Sequence, residues 1–216
     1  MSIVMPTLLS ETVVRLERTD MLRRVQLPRE LDASGYIQPP RRTPGLHLSG
    51  LLKYVAQTAR ISAYLDQIAE EEMPLRWALG IASEEFFASL YPDMSWQPGE
   101  VTEPVIMTPD GISELTDFGS DSGASQFVIE EFKFRRAKRM TGESLIKNHW
   151  LWVAQGAGYC LGYGCEVVRW HVISAFEFPD PVYQKFLVGF NSKELGEMRQ
   201  MIERNREAAI REGYSE

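Results

Sequence analysis

Cysteine and histidine are scarce in this sequence, and their scarcity excludes several classes of site. The 216 residues include two cysteines, Cys160 and Cys165, too few for a disulfide framework or a cluster held by four thiolates. The three histidines have no cysteine or second histidine at the spacing of a zinc site. We therefore expect two buried or free thiols in a reducing compartment and no iron–sulfur cluster.

Long apolar runs and two common catalytic loops are also missing. No stretch approaches the ~18 apolar residues of a membrane span, and residues 1–10 lack the basic and apolar segments of a signal peptide. The sequence contains neither a Gly-x-x-x-x-Gly-Lys-[Ser/Thr] loop nor a Gly-x-Ser-x-Gly elbow. These absences argue against a P-loop ATPase and a serine hydrolase, and we expect a cytoplasmic protein with no membrane partner.

Apolar residues make up 44% of the chain and predict a sizeable core of the α/β or α+β class. The apolar patterns predict helices over residues 7–27, from Ser49 to about 67, and over 75–90, 144–161, 181–189 and 192–212. Strands are predicted over 101–107, 112–118, 126–134 and 166–176. We divide the chain into an N-terminal helix and irregular arm (1–47), a core (48–190) and a C-terminal helix (191–216), together forming one domain.

The most informative pattern lies between residues 108 and 133. Asp110 occupies a turn between proline and glycine, and Glu131-x-Lys133 follows in a predicted strand. Alternate residues of a strand share a face, so Glu131 and Lys133 point the same way and Phe132 points the other way. With Asp110 beside that face, two carboxylates and an ammonium would converge. The alternative is a structural ion pair between Glu131 and Lys133, because a buried carboxylate needs a partner.

Two predicted helices carry polar residues that could join this group. Glu84 could reach it from the helix over 75–90, although an ordinary solvated surface position is the alternative. Gln155 and Tyr159 lie one turn apart and share a helix face. Gly156 and Gly158 disfavour that helix, so either tight packing or the close approach of a ligand should explain them.

Four motifs in this order resemble the PD-(D/E)xK nuclease superfamily, in particular its RecB-like branch, which includes CRISPR-associated exonucleases, recombination-complex nuclease domains and phage lambda-type exonucleases. The resemblance runs from about residue 80 to 170, and the motifs are Gly80-x-x-x-Glu84, Pro109-Asp110-Gly111, Glu131-x-Lys133 and Gln155-x-x-x-Tyr159. It implies a restriction-endonuclease-like core, a central mixed sheet flanked by helices. Members of the branch with an iron–sulfur cluster use four cysteines, and this chain departs from them.

The resemblance also implies a role for each residue. The ligands of one or two Mg²⁺ or Mn²⁺ ions would be Asp110, Glu131, the backbone carbonyl of Phe132 and, directly or through water, Glu84. The resemblance would make Lys133 the catalytic lysine. Gln155 and Tyr159 would line the site. Oxygen ligands are those that Mg²⁺ and Mn²⁺ prefer, so the donor set agrees with this assignment.

Charge bears on the substrate in two opposite ways. The net charge of −7 argues against binding nucleic acid by overall charge. Residues 133–147, however, contain six Lys or Arg against one Glu, a local balance of +5 beside the candidate site. We predict that this segment contacts DNA phosphates, although a solvated loop is the alternative. The predicted contacts besides Lys133 are Arg135, Arg136, Lys138, Arg139 and Lys147.

Together these patterns predict a Mg²⁺- or Mn²⁺-dependent deoxyribonuclease. We expect an exonuclease acting on linear or single-stranded DNA ends in phage or bacterial recombination or repair. A structure-specific endonuclease would share the site, and a catalytically inactive nucleic-acid-binding or interaction module would share the fold. The resemblance also allows a homo-oligomer and a single-strand-annealing or recombination partner protein.

Overall fold

The protein folds as a mixed β-sheet flanked by helices, as seen in a computed structural model that describes residues 6–15, 43–59, 95–96, 98–115, 126–135, 139–174 and 182–215. The strands in these ranges are β1 (Thr7–Arg15), β2 (Ser95–Trp96), β3 (Gly111–Leu115), β4 (Gln126–Arg135), β5 (Val167–Ser174) and β6 (Val182–Gly189). The helices are α1 (Leu48–Thr58), α2 (Gly142–Asn148), α3 (Trp150–Tyr163) and α4 (Ser192–Arg211). The predicted α+β class is confirmed, and the arrangement is compatible with a restriction-endonuclease-like core.

The strand order of the sheet is β1-β6-β5-β4-β3-β2. Strands β4 and β5 are parallel, whereas the other neighbouring pairs are antiparallel. A parallel pair needs a long crossover connection, and the segment containing α2 and α3 provides it. Strand β4 is central and apolar on both faces, with Val128 and Ile129 fully buried. Side chains of β4 can therefore contact residues of both β3 and α3.

Helix α3 packs closely on the sheet and on its neighbouring helices. A side-chain carbon at Gly156 would lie 2.6 Å from Cζ2 of Trp170 in β5. One at Gly158 would lie 2.5 Å from Cδ2 of Leu48 in α1. Close packing therefore explains both glycines, and it resolves the alternatives left open by the sequence.

Two predicted helices are strands in the structure. Residues 7–15 form edge strand β1, which pairs antiparallel with β6. Residues 182–189, predicted as a closing helix, form β6 and lie between β1 and β5. Strand β6 is buried on both faces, so it lacks the alternation of a half-buried strand, and a short apolar run of this kind cannot be distinguished from a helix by periodicity. For β1, pairing with β6 overrides the local helical spacing.

Other boundaries also differ from the prediction. Residues 101–107 contribute isolated bridges, Val101 with Met107 and Ile106 with His47, rather than a strand. Helix α1 begins at Leu48 after the N-cap His47, not at Ser49. The helix predicted over 144–161 is two helices, because His149 leaves the helical conformation at φ −116° and ψ 51°.

The remaining predictions were closer to the structure. Strands β3, β4 and β5 lie where they were predicted, and so does α4. Helix α4 is not solvated all round, because it buries Met198, Ile202 and Ala209. Both cysteines are buried and free, as expected. The helix predicted over 75–90 lies outside the described residues. In the part of the chain that the structure describes, no helix is long and apolar enough to cross a membrane.

Candidate active site

The turn before β3 and the end of β4 bring Asp110, Glu131 and Lys133 together. The register of β3 and β4 pairs Gly111 with Glu130, so the preceding residue, Asp110, falls beside Glu131. The Asp110 N–H lies 3.4 Å from Oε1 of Glu131, and Lys133 Nζ donates to Oε2 of Glu131 at 2.6 Å. The sequence prediction that these three residues meet is therefore what the geometry shows.

The peptide of Phe132 faces the same side as Asp110. Its N–H donates to Oδ2 of Asp110 at 2.8 Å. In a strand the N–H and C=O of one residue point towards the same neighbouring strand, so the Phe132 carbonyl faces the Asp110 side as well.

Helix α3 closes the site from above the sheet. Lys133 Nζ lies 3.4 Å from Oε1 of Gln155, whose Nε2 donates to the hydroxyl of Tyr159 at 2.8 Å. Gln155 and Tyr159 are one turn apart, so both reach the face of β4 that carries Glu131. Hydrogen bonds therefore link the side chains of Glu131, Lys133, Gln155 and Tyr159, and Asp110 joins this group through its backbone N–H.

Burial dominates the electrostatics of this group. Glu131 is 1% exposed, and burial, reinforced by the nearby Asp110, raises its pKa from 4.5 to about 8 despite the opposing charge of Lys133. Burial also raises the pKa of Asp110, against the effects of Lys133 and the Phe132 N–H. Burial, followed by the charges of Glu131 and Asp110, raises the pKa of Tyr159 well above its ordinary value. A half-buried and a fully buried carboxyl group, those of Asp110 and Glu131, thus share one nearby ammonium, and a further cation would stabilise their ionised forms.

The oxygen donors in the described residues suit a hard divalent cation. They are the carboxyl groups of Asp110 and Glu131 and the carbonyl of Phe132. The described ranges contain no group of three or more His, Cys, Asp or Glu placed to hold a metal ion. The third predicted carboxylate, Glu84, lies outside these ranges. Mg²⁺ binds through one or two carboxylates and keeps several waters, so the donor set fits it.

The predicted basic segment divides into several environments. Arg135 lies on the same face of β4 as Lys133, and its buried Nη1 atom finds no hydrogen-bond partner in the described structure. Arg139 is exposed. Lys147 is also exposed but forms an ion pair with Glu143 at 2.5 Å, one turn away in α2. Arg136 and Lys138 lie outside the described residues.

The two tryptophans that follow this segment pack against the core and do not extend into solvent. Trp150 and Trp152 are partly buried against the core. The ring of Trp152 stacks on His149 with centroids 4.6 Å apart. Burial, and secondarily the charge of Arg135, lowers the pKa of His149 to about 4. His149 is therefore neutral at physiological pH, and it lies near the guanidinium of Arg135.

Sequence reasoning missed a second polar group, on the opposite face of β4. Glu130 is buried there and accepts from Arg169 Nη1 and from His171 Nε2, each at 2.6 Å, and also from the Ser113 hydroxyl. The other ring nitrogen of His171 lies 2.6 Å from the hydroxyl of Tyr183. The available signal was Glu130 itself, because a charged residue in a strand that is apolar on both faces must find partners.

Comparisons with known proteins add little to this geometry. No family model matches the chain, and no curated protein matches it. A solved structure titled "Crystal structure of SSO0001" is similar at a TM-score of 0.44 and 11% identity, over 80% of this chain and 78% of that chain. A likeness of this size carries no argument about activity, so the chemistry of the site depends on the residues described above.

Proposed function

We propose that this chain is a Mg²⁺- or Mn²⁺-dependent deoxyribonuclease, and that it acts as an exonuclease on linear or single-stranded DNA ends. The observation that supports the proposal most is the hydrogen-bonded group of Asp110, Glu131 and Lys133. Two carboxyl groups and a backbone carbonyl supply oxygen donors for a divalent cation, and a lysine beside them supplies a positive charge, which together suit phosphodiester hydrolysis. Burial raises the pKa of both carboxyl groups, which agrees with a site that functions with a cation.

Asp110, Glu131 and the Phe132 carbonyl would hold the cation, with Glu84 as a further direct or water-mediated ligand. A bound divalent cation lowers the pKa of a coordinated water and neutralises charge on the phosphate. Without a cation, Glu131 holds a proton at neutral pH because its pKa is about 8. Cation binding should therefore release a proton from this carboxyl group.

Lys133 would supply the positive charge that contacts the reacting phosphate. Its side chain is 17% exposed, so Lys133 is not fully enclosed although its ammonium bonds to the buried Glu131. A compact ammonium can orient an attacking water and stabilise charge that develops in the transition state. The hydrogen bonds from Lys133 to Gln155 and from Gln155 to Tyr159 restrict where that ammonium can lie.

DNA would approach along the end of β4, where the basic segment begins. Arg135 follows Lys133 on the same face, and Arg139 is exposed beyond it. Positive side chains in this position can neutralise backbone phosphates even though the whole chain is acidic. A role in phage or bacterial recombination or repair, with a single-strand-annealing or recombination partner and a homo-oligomeric form, is part of the same proposal.

A second candidate is a catalytically inactive module that binds nucleic acid or protein. The direct bond of 2.6 Å between Lys133 and Glu131 favours it, because a purely structural ion pair would have this geometry. Such a module should bind DNA without any requirement for Asp110 or Lys133.

The test uses end-labelled linear duplex, single-stranded and covalently closed circular DNA, with Mg²⁺ or Mn²⁺ and with EDTA as the metal-free control. We expect the wild type to degrade DNA with free ends, Asp110→Asn to abolish this activity, and Lys133→Met to lower it by about 10²–10³-fold. Glu143→Gln, an exposed substitution in α2, is the matched control and should degrade DNA as the wild type does. Cleavage of closed circles would identify an endonuclease, whereas DNA binding without cleavage would favour the inactive module.

A further inference from the structure

A buried polar cluster lies behind the candidate active site, on the other face of the sheet. It consists of Glu130, His171 and Tyr183, and we call it the His171 cluster. Both nitrogens of the His171 ring are engaged, Nε2 by Oε2 of Glu130 and Nδ1 by the Tyr183 hydroxyl, each at 2.6 Å. All three side chains are buried, so the orientation of this ring is fixed by its partners rather than by solvent.

Burial determines which atoms donate in these hydrogen bonds. It lowers the pKa of His171, against the effect of Glu130 and together with the charges of Arg169 and Lys185. The neutral ring then donates from Nε2–H to Glu130 and accepts a hydrogen bond from the Tyr183 hydroxyl at Nδ1. Removing the Tyr183 hydroxyl would therefore remove the hydrogen bond at Nδ1 and keep the one at Nε2.

The His171 cluster holds the two residues that flank Glu131 along β4. Glu130, on one side, is bonded to His171 directly. Phe132, on the other side, lies opposite His171 in the register of β4 and β5, and the two rings pack with centroids 4.6 Å apart. Successive residues of a strand point to opposite faces, so anchoring both neighbours on one face fixes the direction of Glu131 on the other.

We propose that His171 is a positioning residue of the candidate metal centre, and that it orients the Glu131 carboxyl group and the Phe132 carbonyl from behind the sheet. This inference rests on the proposed function, because it concerns the ligands of the proposed cation. The Phe132 residue is held from two directions, its N–H by Asp110 and its ring by His171. Residues that orient metal ligands from behind typically change metal affinity by about 10–100-fold when they are altered.

The experiment measures Mn²⁺ binding to the full, metal-free chain by isothermal titration calorimetry, with thermal unfolding recorded for each variant without metal. Tyr183→Phe should raise the dissociation constant for Mn²⁺ by about 10-fold, and His171→Gln by up to about 100-fold. Tyr214→Phe is the control, since it also removes one hydroxyl hydrogen bond, in its case to the exposed side chain of Gln57 in α1. It should bind Mn²⁺ within about twofold of the wild type, and its unfolding temperature should fall less than that of Tyr183→Phe because its hydrogen bond is exposed.

Three results would overturn the inference. If Tyr183→Phe bound Mn²⁺ as tightly as the wild type, the His171 cluster would have no positioning role. If Tyr214→Phe weakened Mn²⁺ binding as much as Tyr183→Phe, general destabilisation would explain both effects. If the wild type itself bound no Mn²⁺, the proposed function would fail and this inference with it, and the wild-type titration alone would reveal that outcome.

Discussion

Replacing Glu131 with glutamine should change how the stability of the metal-free protein depends on pH. In the folded protein this carboxyl group has a pKa of about 8, against an ordinary value of 4.5. Between those two pH values the folded chain keeps a proton that the unfolded chain has released. The free energy of unfolding therefore falls as pH rises through this window, and Glu131 adds no slope below 4.5 or above about 8.

The size of the effect follows from proton linkage. One bound proton changes the free energy of unfolding by up to about 1.4 kcal/mol per pH unit. For a chain of this size that corresponds to a fall in melting temperature of roughly 3–6 °C per pH unit. Glu131→Gln cannot titrate, so it should lack this fall. It should match the wild type near pH 5 and be more stable than the wild type near pH 8.

Thermal unfolding followed by circular dichroism in EDTA, at pH 5 to 9, measures this difference directly. The difference between the two pH profiles cancels the titrating groups that do not interact with Glu131. Glu143→Gln is the control, because this carboxyl group is 73% exposed and its pKa is lowered, mainly by the hydrogen bond to Lys147. Its profile should parallel that of the wild type between pH 6 and 8. Parallel profiles for Glu131→Gln and the wild type would refute the raised pKa and the reasoning built on it.

Three further predictions concern other parts of the chain. Lys133→Met should lower DNA cleavage by about 10²–10³-fold, because it removes charge stabilisation in the transition state. Calorimetry should show that this variant still binds Mn²⁺, since the carboxyl ligands remain. Gly156→Ala should lower the free energy of unfolding in urea by about 1–3 kcal/mol, because the added carbon meets the fully buried ring of Trp170. Asn191→Ala should lower it by about 1 kcal/mol, because Asn191 forms a capping box at the start of α4.

Full cleavage by Lys133→Met would exclude the lysine from the chemistry. The other two predictions each have a control variant in the same chain. Gly196→Ala in α4 adds a carbon with no neighbour within 4 Å, so it should stabilise the protein by up to about 1 kcal/mol. Equal effects of Gly156→Ala and Gly196→Ala would contradict the packing at Gly156. Asn191→Asp keeps the acceptor oxygen and should unfold as the wild type does, whereas equal loss in Asn191→Asp and Asn191→Ala would contradict the cap.

The candidate site could be predicted from local rules to a large extent. The period of two along a strand placed Glu131 and Lys133 on one face, and the period of a helix placed Gln155 and Tyr159 on one face. The structure shows both pairs meeting in one hydrogen-bonded group. The surroundings of the basic residues were less predictable. Lys147 was predicted to contact DNA, but in the structure it forms an ion pair with Glu143 within α2.

Several elements could not be derived from local patterns. Strand β6 is buried on both faces, so its sequence lacks a clear strand period. Strand β1 pairs with β6, which lies at the other end of the chain. The partners of Glu130 come from β3 and β5, and Tyr183 in β6 completes the His171 cluster. Contacts between residues so distant in the chain depend on strand order, which the spacing of residues within one element does not encode.

The sequence by itself determined which side chains share a face, because that depends only on the repeat of one helix or one strand. It thereby placed Glu131 with Lys133 and Gln155 with Tyr159. Only the tertiary structure decided that Asp110 lies beside Glu131, that α3 covers them, and that burial raises the pKa of Glu131 to about 8. The physical reason is that desolvation depends on everything packed around a group, and that packing exists only once β3, β4 and α3 have assembled.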